Sequence, residues 1–206
     1  MAVHVISHSL AEHLLVSLRN RETLPSQFRL LARSLTAILV TEATRDLPLQ
    51  AIEIETPLER MTGHGLKSKV VLVPVLRAGL SMLDIALELI PGASVGYVGM
   101  QRDESTAIAH SYYCKLPPLA GCHVLLLDPM LATGGSAAAA IDQLLAAGAV
   151  HISLLCVVAA PEGIAKLKAA YPDLAIVTAA LDRELNERSY ILPGLGDFGD
   201  RLYGTF

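Results

Sequence analysis

VLLLDPMLATGGSAAAAI, Val124 to Ile141, joins an apolar run to a run of small residues through one acid, one proline and a Thr-Gly-Gly-Ser turn. Four apolar residues ahead of a turn read as a strand buried on both faces, and SAAAAIDQLLAAG behind it reads as a helix that Gly148 stops. Strand, glycine-rich turn and helix in that order are the repeating unit of an α/β fold. The turn itself suits an anion. Glycines let the backbone come close, successive N–H groups point outward from the helix start, and the Thr133 and Ser136 hydroxyls add donors. A triphosphate loop would carry Lys before the Ser; position 135 is Gly, so a monophosphate fits better. Asp128, ahead of the turn, is placed to accept hydrogen bonds from vicinal hydroxyls of a sugar whose phosphate fills it. The plain alternative is a helix start whose small residues only pack against the sheet.

The same rhythm extends in both directions. VVLVPVL, GLSMLDIALELI and ASVGYVGM read as strand, helix and strand before it; HISLLCVVAA, PEGIAKLKAAYP and LAIVTAA repeat the pattern after it. Upstream, Leu10, Leu14 and Leu18 mark one helix, and Phe28, Leu31, Leu35, Ile38 and Leu39 a second with Ser26 as its N-cap. AIEIETPLERMTG alternates and reads as a peripheral strand ending in a turn. Two stretches break the rhythm: the polar Gln101–Pro117 segment, and a tail from Asp182 to Phe206 rich in turn signals. Long irregular segments in α/β domains serve as lids or substrate loops. The expected architecture is one α/β domain over 1–206 with a mostly parallel central sheet flanked by helices.

Composition narrows the class. Of the 206 residues 52% are hydrophobic and only 17% charged, and the mean hydropathy is +0.48. Sheets covered on both faces produce such values, as do chains that bury apolar surface between subunits. A membrane protein is the competing explanation, but no stretch reaches the roughly 18 uninterrupted apolar residues of a spanning helix. A net charge of −4 leaves no electrostatic footprint for non-specific nucleic-acid binding. Cys114, Cys122 and Cys156 form no CxxC pair and read as reduced cytoplasmic thiols, and MAVHVISHSLAEH has no signal-peptide pattern.

In open α/β sheets ligands sit outside the carboxyl ends of the strands. Arg77 follows VVLVPVL and Arg102 follows YVGM, so two guanidiniums stand at strand ends beside Asp128 and the turn. Taken singly, each arginine is as consistent with a surface role as with a ligand. Gly194-Leu-Gly-Asp-Phe-Gly199 matches G-x-G-x-x-G, but no strand leads into it and only seven residues follow, so it reads as a bent loop and not a dinucleotide fingerprint. The seven histidines show no metal-ligand cluster. Tyr112 and Tyr113 either close over a ligand or pack their own loop.

With these residues in view, DPMLATGGS resembles the phosphoribosyl pyrophosphate (PRPP) signature of the uracil phosphoribosyltransferases. That family has Asp-Pro, as at Asp128-Pro129, where most phosphoribosyltransferases have two acids. The resemblance continues through TEAT (41–44), VPVLRAGL (73–80), VGMQRDE (98–104), VAAPEGI (158–164), LNERSYILPGLGDFGD (185–200) and YGT (203–205), collinear over nearly the whole chain.

The resemblance implies a type I phosphoribosyltransferase fold: an N-terminal arm and peripheral elements over 1–68, a core over 69–181 and a base-binding hood over 182–206. It implies the conversion of uracil and PRPP to UMP and pyrophosphate with Mg²⁺ held mainly through PRPP, in pyrimidine salvage. Arg77 and Arg102 would hold the pyrophosphate. Asp128, Pro129, Met130, Leu131, Ala132, Thr133, Gly134, Gly135 and Ser136 would bind the ribose hydroxyls and 5-phosphate. Ile191, Gly196, Asp197 and Phe198 would hold uracil, with Asp197 also facing PRPP and standing as the nearest candidate to take the N1 proton. Gln101–Pro117 would be a flap. Members form dimers or larger assemblies and some respond to GTP, so a homo-oligomer and a GTP effector are the implied partners besides substrates, with neither nucleic acid nor membrane. Two departures stand out. Gln101 replaces a common Tyr, and Phe198 replaces an Ala of many bacterial members; base contacts there are expected from the backbone, so Phe198 should alter packing. An RNA-binding regulator on the same fold is the alternative, and a purine enzyme is disfavoured by Asp-Pro and by the hood.

Overall fold

The computed structural model describes residues 2–102 and 109–205. In chain order the elements are β1 (Ala2–Val5), α1 (Ser9–Arg19), α2 (Pro25–Ala43), β2 (Leu49–Glu55), β3 (Arg60–Leu66), β4 (Val70–Leu76), α3 (Leu80–Leu89), β5 (Ser94–Val95), β6 (Tyr97–Arg102) and β7 (Ala109–Lys115). There follow β8 (His123–Leu127), β9 (Met130–Leu131), α4 (Gly135–Ala146), β10 (His151–Ala159), α5 (Pro161–Ala170), β11 (Ala175–Leu181), β12 (Glu184–Leu185), β13 (Ile191–Leu192) and α6 (Phe198–Tyr203). The central sheet runs β1-β11-β10-β8-β4-β6-β7, with β5 beside β4 and β9 beside β10. Its pairings are parallel apart from β6 with β7.

Strand alternation explains both layers. Val70, Leu72, Leu125, Leu127, Leu155 and Val157 face a core shared with Leu14, Leu18, Phe28, Leu35 and Leu39 of α1 and α2, Met82 of α3 and Phe198 of α6. Their neighbours Val71, Val73, Val124, Leu126, Leu154 and Cys156 face the opposite core, filled by Ala137, Ala140, Ile141 and Leu144 of α4 and by Leu167 of α5. A strand with apolar residues at every position is buried on both sides, which is why VVLVPVL and HVLLL carry no polar alternation. Helix α3 takes the chain from β4 outward to β6, whereas α4 takes it from β8 the other way to β10. The carboxyl ends of β4 and β8 therefore flank the switch point where doubly wound sheets open a crevice.

Several expectations are refined. MAVHV, not read as regular structure, is the edge strand β1, paired with β11 from Ala2 to Val5. The alternating AIEIE pairs with RMTGHGL as a separate two-stranded hairpin, β2–β3. Helix α2 starts one residue before Ser26: Pro25 stands in its first turn and Leu24 is the N-cap, because proline gives up an N–H that the first turn cannot use. Part of the Gln101–Pro117 segment is regular, with Tyr97–Arg102 paired antiparallel to Ala109–Lys115; AHSYYCK lacks the alternation that marks a strand in sequence. Residues 103–108 of the expected flap lie outside the described residues. Tyr112 packs its ring over Gly99, where a Cβ would stand 2.6 Å from the ring carbon bearing the hydroxyl. Among the described residues no helix is long and apolar enough to cross a membrane.

Candidate active site

A cleft of about 160 Å³ opens at the switch point, walled by Val75–Ala78 at the end of β4, Met100 of β6, Asp128 and Met130–Ala137 after β8. Three of the stretches singled out in the sequence thus meet: Arg77, Asp128 and the Thr133–Ser136 turn. Arg77 is exposed and follows a cis Leu76–Arg77 peptide bond. Its loop lies tight against the neighbouring strand: a Cβ on Gly79 would stand 2.3 Å from the Leu127 carbonyl oxygen, so only glycine closes the approach. Arg102 ends β6 at the same sheet edge, and its side chain lies outside the described residues.

Asp128 sits at a break in the edge. β8 stops at Leu127, the Asp128 N–H donates to Leu155 O at 3.1 Å, and β9 resumes pairing with the same strand, β10, at Met130. Pro129, which has no N–H to donate, occupies the break; it is buried, is absent from the cleft wall, and its carbonyl accepts from Val157 and Val158 at 2.9 and 3.2 Å. Asp128 keeps part of its surface on the cleft while protein encloses the rest. Desolvation pushes its carboxyl up from the ordinary 3.8 to about 7, against the pull of the Met130 backbone N–H. Beneath it, burial pushes the Cys156 thiol up to about 12, with Asp128 adding to the rise, so this cysteine is no nucleophile.

Gly134 adopts a left-handed φ of 75° as the N-cap of α4, and a Cβ there would also stand 3.1 Å from the Gly163 carbonyl oxygen of α5. The turn is therefore glycine for two reasons, its own dihedral and the helix pressed against it. The Gly135, Ser136 and Ala137 backbone opens α4 on the cleft, which turns first-turn N–H groups that have no partner within the helix, and the positive end of the helix dipole, toward it.

The tail candidates are not part of this wall. Ile191 and Phe198 are buried in the core, and Phe198 meets Phe28 edge to face with ring centroids 5.0 Å apart, so its side chain packs as expected from its size. Gly196, with φ 81°, and Asp197 are exposed; the Asp197 carboxylate caps α6 by accepting from Asp200 N at 2.9 Å.

What holds this tail has no mark in the sequence. Arg19, at the end of α1, donates to both Asp182 oxygens at 2.8 and 2.5 Å and to the Gly194 carbonyl at 2.7 Å, while Asp182 accepts from Gly194 N at 2.9 Å. Arg201 stacks 4.6 Å over the Phe28 ring and donates to the carbonyls of Leu18, Leu195 and Asn20, the last at 2.6 Å. A buried arginine such as Arg201 persists only when its donors are used, and here they are spent on the carbonyls of Leu18 and Asn20 at the end of α1 and of Leu195 in the tail. A lone arginine closing an amphipathic helix reads as a surface residue, so no local signal marks Arg19.

The fold is that of a type I phosphoribosyltransferase. A hypoxanthine-guanine phosphoribosyltransferase from Bacillus anthracis superposes at a TM-score of 0.52 with 10% identity over 75% of this chain and 79% of that one, a likeness of fold alone. The AQ2163 protein from Aquifex aeolicus superposes at 0.94 with 38% identity, covering 98% of this chain and 97% of its own. A family model described as uracil phosphoribosyltransferase matches residues 5–205. The uracil phosphoribosyltransferases of Acidovorax sp. (strain JS42) and Levilactobacillus brevis are 49% and 50% identical to it, covering 98% of this chain and 98% and 97% of theirs. The chain belongs to the uracil phosphoribosyltransferase family.

Proposed function

We infer that this chain transfers the phosphoribosyl group of PRPP to uracil, forming UMP and pyrophosphate. The observation that carries the reading is the convergence of Arg77, Asp128 and the Thr133–Ser136 turn on one cleft, in a chain of this family. The 5-phosphate takes the turn, the ribose hydroxyls face Asp128, and Arg77 with Arg102 draws charge from the leaving pyrophosphate. N1 of uracil bonds to C1 of the ribose as the C1–O bond breaks and its electron pair leaves on pyrophosphate; the N1 proton passes to a base, for which Asp197 is the proposed group.

Among the described residues no set of three or more His, Cys, Asp or Glu side chains forms a cation cage, and the cleft wall carries one carboxylate, Asp128. That donor set fits a Mg²⁺ ion held chiefly by PRPP oxygens, with Asp128 as the protein group nearest the ribose. Bound there, the ion neutralises charge on the leaving group.

For the base, uracil offers O4 as acceptor and N3–H as donor, and cytosine inverts both. Backbone groups in matching order reject cytosine because buried polar atoms would go unpaired. Both backbone polar groups of Gly194 and the carbonyls of Leu195 and Asp197 are already bonded, which leaves the Gly196 carbonyl and the N–H groups of Gly196–Phe198 to read the base. In this division of labour residues 69–181 grip PRPP and 182–206 choose the base.

The test is pyrophosphate release from PRPP and Mg²⁺ with each nucleobase in turn. Release with uracil alone is expected; release with hypoxanthine or adenine and none with uracil would overturn the assignment. Added GTP in the same assay reads any effector response. Tight, salt-sensitive RNA binding with no turnover would favour the regulator instead.

A homo-oligomer accords with the β2–β3 hairpin. It pairs with no other described strand yet exposes Ile52, Ile54, Met61 and Leu66, with Leu58 at its tip 95% exposed. An isolated two-stranded hairpin is marginal in water, so a second copy is the proposed cover. Light scattering should show at least a dimer, and Ile52→Asp with Ile54→Asp should shift it toward monomer; a parent monomer would refute this. The three free cysteines accord with a reducing, cytoplasmic setting.

A further inference from the structure

The phosphate turn has no basic residue of its own, but one reaches it from another helix. The first turn of α5 is pressed against the loop: a Cβ on Gly163 would stand 2.4 Å from the Ala132 carbonyl oxygen, as one on Gly134 would crowd Gly163. Lys166 lies three residues beyond Gly163, on the same helix face. Its Nζ is 3.8 Å from the Cβ position of Gly135, a point 3.7 Å from Thr133 Oγ1. The ammonium therefore stands beside the glycine at the centre of the turn, next to one of its hydroxyl donors.

Among the described residues its charge is not spent elsewhere. Glu162 stands four residues before Lys166, the spacing and order that favour a helical ion pair. Yet the Glu162 carboxylate accepts from Leu185 N at 2.8 Å, tying α5 to the hood. Among the described residues Lys166 enters no ion pair. A lysine from α5 adds charge from the side and leaves the glycines of the turn bare.

We propose that Lys166 is a phosphate-binding residue of this chain, supplying to the sugar 5-phosphate the positive charge that the Thr133–Ser136 turn lacks. The inference rests on the reading of that turn given under Proposed function. A phosphate monoester carries close to two negative charges at neutral pH, and neutral donors alone leave most of that uncompensated.

The test is calorimetric titration of the parent, Lys166→Gln and Lys166→Arg with inorganic phosphate and with ribose 5-phosphate at two salt concentrations. Lys166→Gln should weaken both ligands about fivefold to tenfold and flatten the salt dependence, and Lys166→Arg should restore most of the loss. Lys166 is exposed, so all three should share one circular dichroism spectrum and melting temperature. Equal affinity and salt slope in the parent and Lys166→Gln would overturn the role of Lys166 while leaving the turn's role intact. A parent that binds neither ligand would overturn both.

Discussion

Asp128→Asn is expected to lower kcat/KM about 10²–10³-fold while leaving the fold more stable than the parent at neutral pH. The loss follows from removing the one carboxylate that the described residues place on the cleft wall, where positive charge develops on the ribose as pyrophosphate departs. The gain in stability follows from the same burial. In the folded protein the carboxyl titrates at about 7 against an ordinary 3.8. Between those values the folded chain holds a proton that the unfolded chain has lost, so the penalty for Asp128 grows as pH rises through that window and is complete above it. The melting temperature of Asp128→Asn should therefore exceed the parent's at pH 8 and converge with it near pH 4. The parent's kcat/KM should climb as pH rises through about 7, where the free enzyme's Asp128 becomes the acceptor for hydroxyls, and the residual rate of the variant should lack that limb. Full activity in Asp128→Asn, or an identical pH profile, would refute the role given to this residue.

Asp182→Ala should have the second large effect, on stability first and on uracil second. It strands the Arg19 guanidinium and the Gly194 N–H, both of which Asp182 now satisfies. Breaking a buried pair at one partner costs about 3–5 kcal/mol, and the Asp182 side chain is only 5% exposed, so urea unfolding should show a loss in that range. At temperatures where the variant stays folded, KM for uracil should rise more than KM for PRPP, because the pair fixes the Gly194 backbone next to the proposed base-reading stretch and touches nothing on the cleft wall. Arg19→Lys, which keeps charge but loses the two-pronged geometry, should fall between. Unchanged stability, or equal losses for both substrates, would sink the claim that Arg19 and Asp182 position the hood.

The two predictions separate what was legible from what was not. Asp128, the turn and Arg77 were legible because strand ends and glycine turns are written in contiguous residues, and an α/β sheet brings strand carboxyl ends together whatever the details. Pro129 was legible as a family mark, but its place, buried in the break between β8 and β9 with its carbonyl tied to β10, required the sheet register. Phe198 stood out in sequence as a departure within the implied uracil site; the structure shows its side chain filling the space beside Phe28.

By itself, then, the sequence determined an α/β chain with strands apolar on both faces, a glycine turn opening a helix, and an acid and an arginine at strand ends. These rest on periodicity and turn chemistry, which act over a few residues. Only the tertiary structure decided that β4 and β8 flank the switch point, that α5 lays Lys166 beside the turn, and that Arg19 grips Asp182 across 163 residues of sequence. Pairings at that range depend on where the sheet order and the helix layers deliver each side chain, and no local pattern records it.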